Sequence, residues 1–348
     1  MPPDDQAQRT HPPQQPVDLN IIPSLPSYPK PMRSWPKHNH SSNTRNAFNE
    51  SFHETEMCNK DRDRLFTFEF ACEHGDLSTV QSIIASRGIL PEPAFLHWGL
   101  IQGIRAGQLE VVNFLLASGA PIGRQTAFSV LNAPPAQQLP LFELLTKFGW
   151  IPATAGYHGD MILPYIVSDH NLLLWFLAHS VDPNHGRQPT NNDIFAGPDT
   201  QSGAAIEAAA KINDIKALRS LVNSGANAQY GAPLHYAAGM CPPGIKLPYG
   251  QPRPSKDFDM STIPVMALLV EQGADVNRPA RFFGQDGVTP LMYAAIAGAV
   301  ERVKWLLEHG ADPTLEGPWG SAATIAIRAG GVMKQVMEDS IGPANKIS

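Results

Sequence analysis

Asp286-Gly287-Val288-Thr289-Pro290-Leu291-Met292-Tyr293-Ala294-Ala295-Ile296-Ala297-Gly298-Ala299-Val300-Glu301-Arg302-Val303-Lys304-Trp305-Leu306-Leu307-Glu308-His309-Gly310-Ala311 is the stretch that decides the fold. Asp286-Gly287 supplies a turn in which glycine tolerates a positive φ. Thr289 offers a capping hydroxyl and Pro290 a rigid first-turn ring, so a helix starts there. Ala294 and Ala295 are small enough for a neighbouring helix to approach closely. After Gly298 a second helix places Val303, Leu306 and Leu307 at helical spacing, and Gly310 ends it in a left-handed conformation.

Working outward, the phrase that closes the second helix returns at Leu115–Ala120, Leu221–Ala226 and Leu269–Ala274, each ending in Gly-Ala. Degraded copies read Ile83–Gly88, Leu144–Gly149 and Phe176–Asp182. The phrase that opens the first helix returns at Ala232-Pro233-Leu234-His235-Tyr236-Ala237-Ala238, and the link between helices at Gly75-Asp76-Leu77 and Gly107-Gln108-Leu109. The spacing is that of a repeat of about 33 residues. About eight units are expected between roughly Leu65 and Asp339, most divergent from Thr126 to Asp199. The last, from Ser321, carries a polar second helix with Lys334, Gln335, Glu338 and Asp339, as a capping unit should.

These phrases strongly resemble the T-P-L-H-x-A-A signature of ankyrin repeats. The resemblance implies an all-α solenoid of stacked helix-turn-helix units joined by hairpin loops. The expected organisation is a Pro/Gln/Ser/His-rich disordered arm over 1–60, a repeat array over 61–340 with loop inserts near 185–202 and 241–261, and a tail over 341–348. The second insert carries Cys241-Pro242-Pro243-Gly244 and Pro248-Tyr249-Gly250. His235 occupies the histidine of the signature, where a structural hydrogen bond between neighbouring loops is expected.

Composition restricts the function classes. With 33 prolines and 28 glycines in 348 residues, the chain is punctuated into many short elements. Three scattered cysteines, Cys58, Cys72 and Cys241, form no C-x-x-C pair, and a reducing intracellular compartment, nucleus or cytoplasm or both, fits them. The N-terminus lacks the basic and apolar regions of a secretory signal. The most apolar run, Leu172–Ala178, is far shorter than the roughly 20 residues that span a bilayer and reads as a buried helix. No membrane association is expected.

The net charge is −6. Six bases in residues 1–60 (Arg9, Lys30, Arg33, Lys37, Arg45, Lys60) balance six acids there, which leaves the −6 on the array and disfavours direct nucleic-acid binding by the repeats. The arm is mildly basic from Lys30 to Arg45, and its prolines 23, 26, 29 and 31 favour extended polyproline-like conformations. Composition alone makes it a solvated tail.

No phosphate-binding loop, dinucleotide fingerprint, nucleophile elbow, zincin or kinase motif occurs in the sequence. No catalytic residue, cofactor, metal or small-molecule substrate is expected. Cys72 with His74, and His53 with Cys58, lack the second pair a zinc site needs. His179 and His185 read as loop residues.

The resemblance implies a protein partner held on a concave face of inner helices and hairpin tips. Placed on the motif, Lys211, Met240, Ile296 and Arg328 fall at exposed inner-helix positions, and Gln229, Tyr230, Gln285 and Asp286 at hairpin tips. Glu73 and Arg105 fall similarly in weaker repeats. Tyr230 is the best single anchor, as aromatics are enriched at hot spots. The leading expectation is an adaptor, such as a transcription co-regulator or regulatory scaffold that binds a transcription factor or regulatory complex. Two others stay open. One is a substrate receptor of a ubiquitin ligase, which would need an F-box or similar module that neither terminus shows. The other is an enzyme whose site lies in the divergent repeats, where Tyr157, His158, Asp160, Asp169 and His170 cluster.

Overall fold

The computed structural model describes residues 59–86, 93–190, 193, 195–242, 254–282 and 284–341. The arm over 1–60 lies outside them except for its last two residues. So do the tail beyond 341 and the middle of the second insert, 243–253. The described chain is predominantly helical, as the periodicity predicts, and divides into two compact units, Met1–Tyr157 and His158–Ser348.

In the first unit the helices are α1 (Asn59–His74), α2 (Leu77–Ala85), α3 (Pro93–Ala106), α4 (Leu109–Ala117), α5 (Thr126–Ser129) and α6 (Pro135–Lys147), with a 3-10 turn at Val130–Asn132. Helix α1 packs on α2 and α3, α3 on α4 and α5, and α4 on α6. Phe68 and Phe95 stack with centroids 4.1 Å apart between α1 and α3. Close approach there requires Gly99, since a Cβ on it would lie 2.5 Å from the Phe68 ring.

The second unit has two layers. The inner one is α7 (Leu163–Ile166), α9 (Ala204–Lys211), α11 (Pro233–Ala238), α13 (Pro290–Ile296) and α15 (Ala322–Ala329). The outer one is α8 (His170–Ala178), α10 (Ile215–Asn223), α12 (Lys256–Glu271), α14 (Val300–Glu308) and α16 (Gly331–Ile341). Each inner helix packs on the next inner helix, and each outer helix on the next outer helix. Leu218 and Leu221 from α10, Leu269 from α12 and Leu306 from α14 are fully buried, and each contributes roughly 1.5–3 kcal/mol through apolar burial. Ala209, Ala237, Ala294 and Ala326 have no exposed surface, the close approach their size predicts.

Helix starts follow the sequence. Thr289 accepts from Met292 N at 3.3 Å and Ser321 from Thr324 N at 3.2 Å. Asp169 and Asp214 cap α8 and α10; each such cap stabilises by about 1 kcal/mol. Gly287 has φ 87° and Gly310 φ 87°, the left-handed conformations expected of them.

The unit also holds a short antiparallel hairpin, β1 (Ala280–Phe282) with β2 (Gln285–Val288). Helix α12 begins at Lys256, within the stretch read as an insert near 241–261.

Two asparagines tie successive loops together. Asn184 donates to Gly225 O at 2.9 Å and accepts from Asn227 N at 2.8 Å. Asn277 donates to Gly310 O at 3.0 Å and accepts from Asp312 N at 2.7 Å. One side-chain amide thus satisfies two backbone groups of the next loop.

Candidate partner-binding face

The inner helices of the second unit end in a common register. Asn213, Gly298 and Gly330 are all left-handed, with φ 58°, 72° and 68°, and each closes the end of α9, α13 or α15. Two residues before each lie Lys211, Ile296 and Arg328. Met240 lies at the same end of α11, beside Gly239. Lys211 and Arg328 are exposed, Met240 and Ile296 half-buried. Lys211 forms no salt bridge among the described residues; Arg328 spends one N–H on Trp319 O at 3.0 Å.

One turn earlier lie Tyr236 and Tyr293, both half-buried. The sequence reading missed them. Phe282 from β1 sits between them, 5.1 Å from the Tyr236 ring and 4.9 Å from the Tyr293 ring, and stacks on His235 at 5.2 Å. Burial pushes the Tyr293 hydroxyl pKa up to about 12 and raises that of Tyr236.

At the tips, Gln229, Gln285 and Asp286 are exposed. The Gln229 carbonyl accepts from the Arg278 guanidinium, and Asp286 lies 3.9 Å from Arg281. Tyr230 is half-buried, and its carbonyl lies against Gly203. In the first unit Glu73 is exposed, its carbonyl accepting from Gln108 Nε2 at 3.0 Å. Arg105 is half-buried; desolvation lowers its pKa against the opposing charge of Glu69.

His235 makes the loop-bridging hydrogen bond the motif implies: Nε2 lies 2.9 Å from Val288 O. Two residues play the same part without having been read from the sequence. His97 Nδ1 lies 2.9 Å from Pro121 O, and the Glu207 carboxylate accepts from Ala232 N at 2.6 Å. Ala204-Ala205-Ile206-Glu207 aligns with T-P-L-H, so only its position marks Glu207; Phe95-Leu96-His97 preserves only the apolar pair and the imidazole.

Burial lowers both imidazoles from 6.5 to about 4. The unfolded chain therefore binds protons that the folded chain refuses. Stability is present above pH 6.5 and is lost as pH falls toward 4. Each histidine is expected to cost about 1–2 kcal/mol between pH 6.5 and about 5. Urea unfolding at pH 7 and pH 5 of wild type and His97→Gln checks it; an unchanged pH dependence would refute a buried neutral His97.

The cluster read as an enzyme alternative is partly used in structure. Asp169 accepts from Asn171 N and Leu172 N, and His170 Nε2 lies 2.7 Å from Asp214 Oδ2. Tyr157 closes the first unit. His158 is left-handed at φ 53°, with Nδ1 buried and unpartnered. Burial raises the Asp160 pKa, opposed by Arg187 and His158. Among the described residues no group of three or more His, Cys, Asp or Glu could hold a metal, and no helix is long and apolar enough to cross a membrane.

Residues 259–317 match the family model for ankyrin repeats (three copies). That segment runs from the first turns of α12 through the hairpin, α13 and α14, so the region holding Ile296, Gln285 and Asp286 is ankyrin-repeat structure. None of the curated proteins matches the sequence. Ankyrin repeats are in general protein–protein interaction modules, and the family is typically non-catalytic.

Proposed function

We propose that this chain is a non-catalytic intracellular adaptor that holds a protein partner on the inner-helix face of its second unit, with each helix pair acting as one repeat. The observation that carries the reading is the row Lys211, Met240, Ile296 and Arg328. Successive inner helices end in a core of buried alanines, yet α9, α13 and α15 each keep a larger side chain at one shared position, and in α11, where that position is Gly239, Met240 follows directly; Lys211 and Arg328 are exposed, Met240 and Ile296 partly so. Residues that pack the scaffold are separate from residues that meet solvent, so the face varies without cost to the core. Gln229, Tyr230, Gln285 and Asp286 form its rim. A regulatory role, such as co-regulation of transcription, is the refinement we favour for the partner class.

The test is affinity purification with mass spectrometry from the native cell, comparing wild type with a Lys211→Glu, Arg328→Glu double variant of unchanged melting temperature. Loss of a specific protein in the variant is expected. A partner set identical for both chains would remove this face from consideration.

A further inference from the structure

We infer that the partner segment is an amphipathic α-helix with an apolar stripe at its centre and acidic residues at both ends; this rests on the inner-helix face being the binding face. The row has a charge order. Lys211 stands at one end on α9 and Arg328 at the other on α15, both exposed, and the residues between them on α11 and α13, Met240 and Ile296, are uncharged and apolar. Tyr236 and Tyr293 widen that centre by one helical turn, with Phe282 supporting both rings.

Neighbouring helices pack about 8–10 Å apart, so three intervals separate the two cations by roughly 25–30 Å. A helix rising 1.5 Å per residue covers that distance in about 16–20 residues. Acidic residues at both of its ends then meet Lys211 and Arg328 while one apolar stripe lies on the four side chains between.

A helix fits this surface better than a strand. The face is built from α9, α11, α13 and α15 and, among the described residues, offers no row of strand N–H and C=O groups, so an extended segment would press unpaired backbone polar groups onto an apolar centre. A helix satisfies its own backbone and presents side chains alone. The cations also discriminate. In a chain of net charge −6, two unpaired basic ends on this face repel a basic helix and attract an acidic one.

The probe is a display library of helix-forming peptides about 20 residues long, with a fixed Leu stripe and end doublets varied among Glu, Gln and Lys, selected on the full chain. Glu at both ends is expected to be enriched over Lys roughly five- to tenfold, as two exposed ion pairs allow. A Lys211→Glu, Arg328→Glu chain should invert the preference, and Ile296→Asp should abolish selection while the fold, checked by circular dichroism, persists. Selection of no peptide, or of the same end charges by both chains, overturns the inference. Failure here is distinguishable from failure of the binding-face reading: a native partner lost in the double variant but lacking an acidic-ended helix defeats only the former, whereas a partner set indifferent to the variant defeats both.

Discussion

Replacing Asp259 with alanine is expected to destabilise the second unit by about 3–5 kcal/mol. Asp259 and Arg302 form an ion pair whose side chains are 3% and 0% exposed. The guanidinium also donates to the carbonyls of Ala237 at 3.1 Å and Ala238 at 2.8 Å, the last residues of α11. The carboxylate in turn accepts from Glu301 N at the start of α14. In the other helix pairs of this unit a short turn joins inner to outer helix. Here the chain leaves α11 for a long connection, and the terminal carbonyls of α11 need another donor. Arg302 supplies it, and Asp259 supplies the countercharge that makes a buried guanidinium tolerable.

Removing Asp259 leaves that cation stranded, with Nη2 already lacking a hydrogen-bond partner. Urea unfolding followed by Trp305 fluorescence measures the cost. A paired Asp259→Leu, Arg302→Met chain should recover most of the loss, because well-packed apolar replacements of a buried pair are often neutral. A single-variant cost below about 1 kcal/mol would show that the pair is not desolvated as described.

Gly203→Ala is expected to cost about 3 kcal/mol, at the upper end for overpacking. A Cβ there would lie 2.4 Å from Tyr230 O and 2.7 Å from Gly231 Cα. The obstructing atoms are backbone and cannot rotate away, so the Gln229–Tyr230 tip must move. Two measurements belong together: the unfolding midpoint should fall, and amide hydrogen exchange at Tyr230 and Gly231 should quicken more than at Leu221 in the core of α10. Equal protection at the tip in both chains would mean the loop absorbs the methyl without shifting.

The parts of the fold that repeat as local chemistry were legible. Thr289-Pro290, the paired alanines and the Gly-Ala endings specify caps, close approach and left-handed stops within a few residues, and the structure follows them. Helix α5 with its 3-10 turn was not, because four residues carry too little periodicity to register. Arg302 was not singled out in the sequence, since a charge on an amphipathic helix ordinarily marks the solvated face. Only a partner 43 positions away makes it a core residue.

The candidate face divides in the same way. Lys211, Ile296 and Arg328 follow from register and needed no tertiary information, whereas register puts Gly239 at that place in α11 and Met240 one residue beyond it. Tyr236 and Tyr293 occupy the variable position of the T-P-L-H-x-A-A phrase and were passed over; their grouping depends on Phe282 arriving from the hairpin. Tyr230, read as an exposed anchor, is half-buried, so its side chain is less available to a partner than its place at a tip suggested.

The asparagine ties at Asn184 and Asn277 have a consequence for how such a surface changes over generations. Because each tie holds the following loop by backbone groups alone, the tie itself places no demand on that loop's exposed side chains. A substitution at Gln229, which follows the loop held by Asn184, therefore alters what the rail displays without altering the tie. On the proposed reading of this face, specificity is rewritable one exposed residue at a time while the tie that holds the loop is kept.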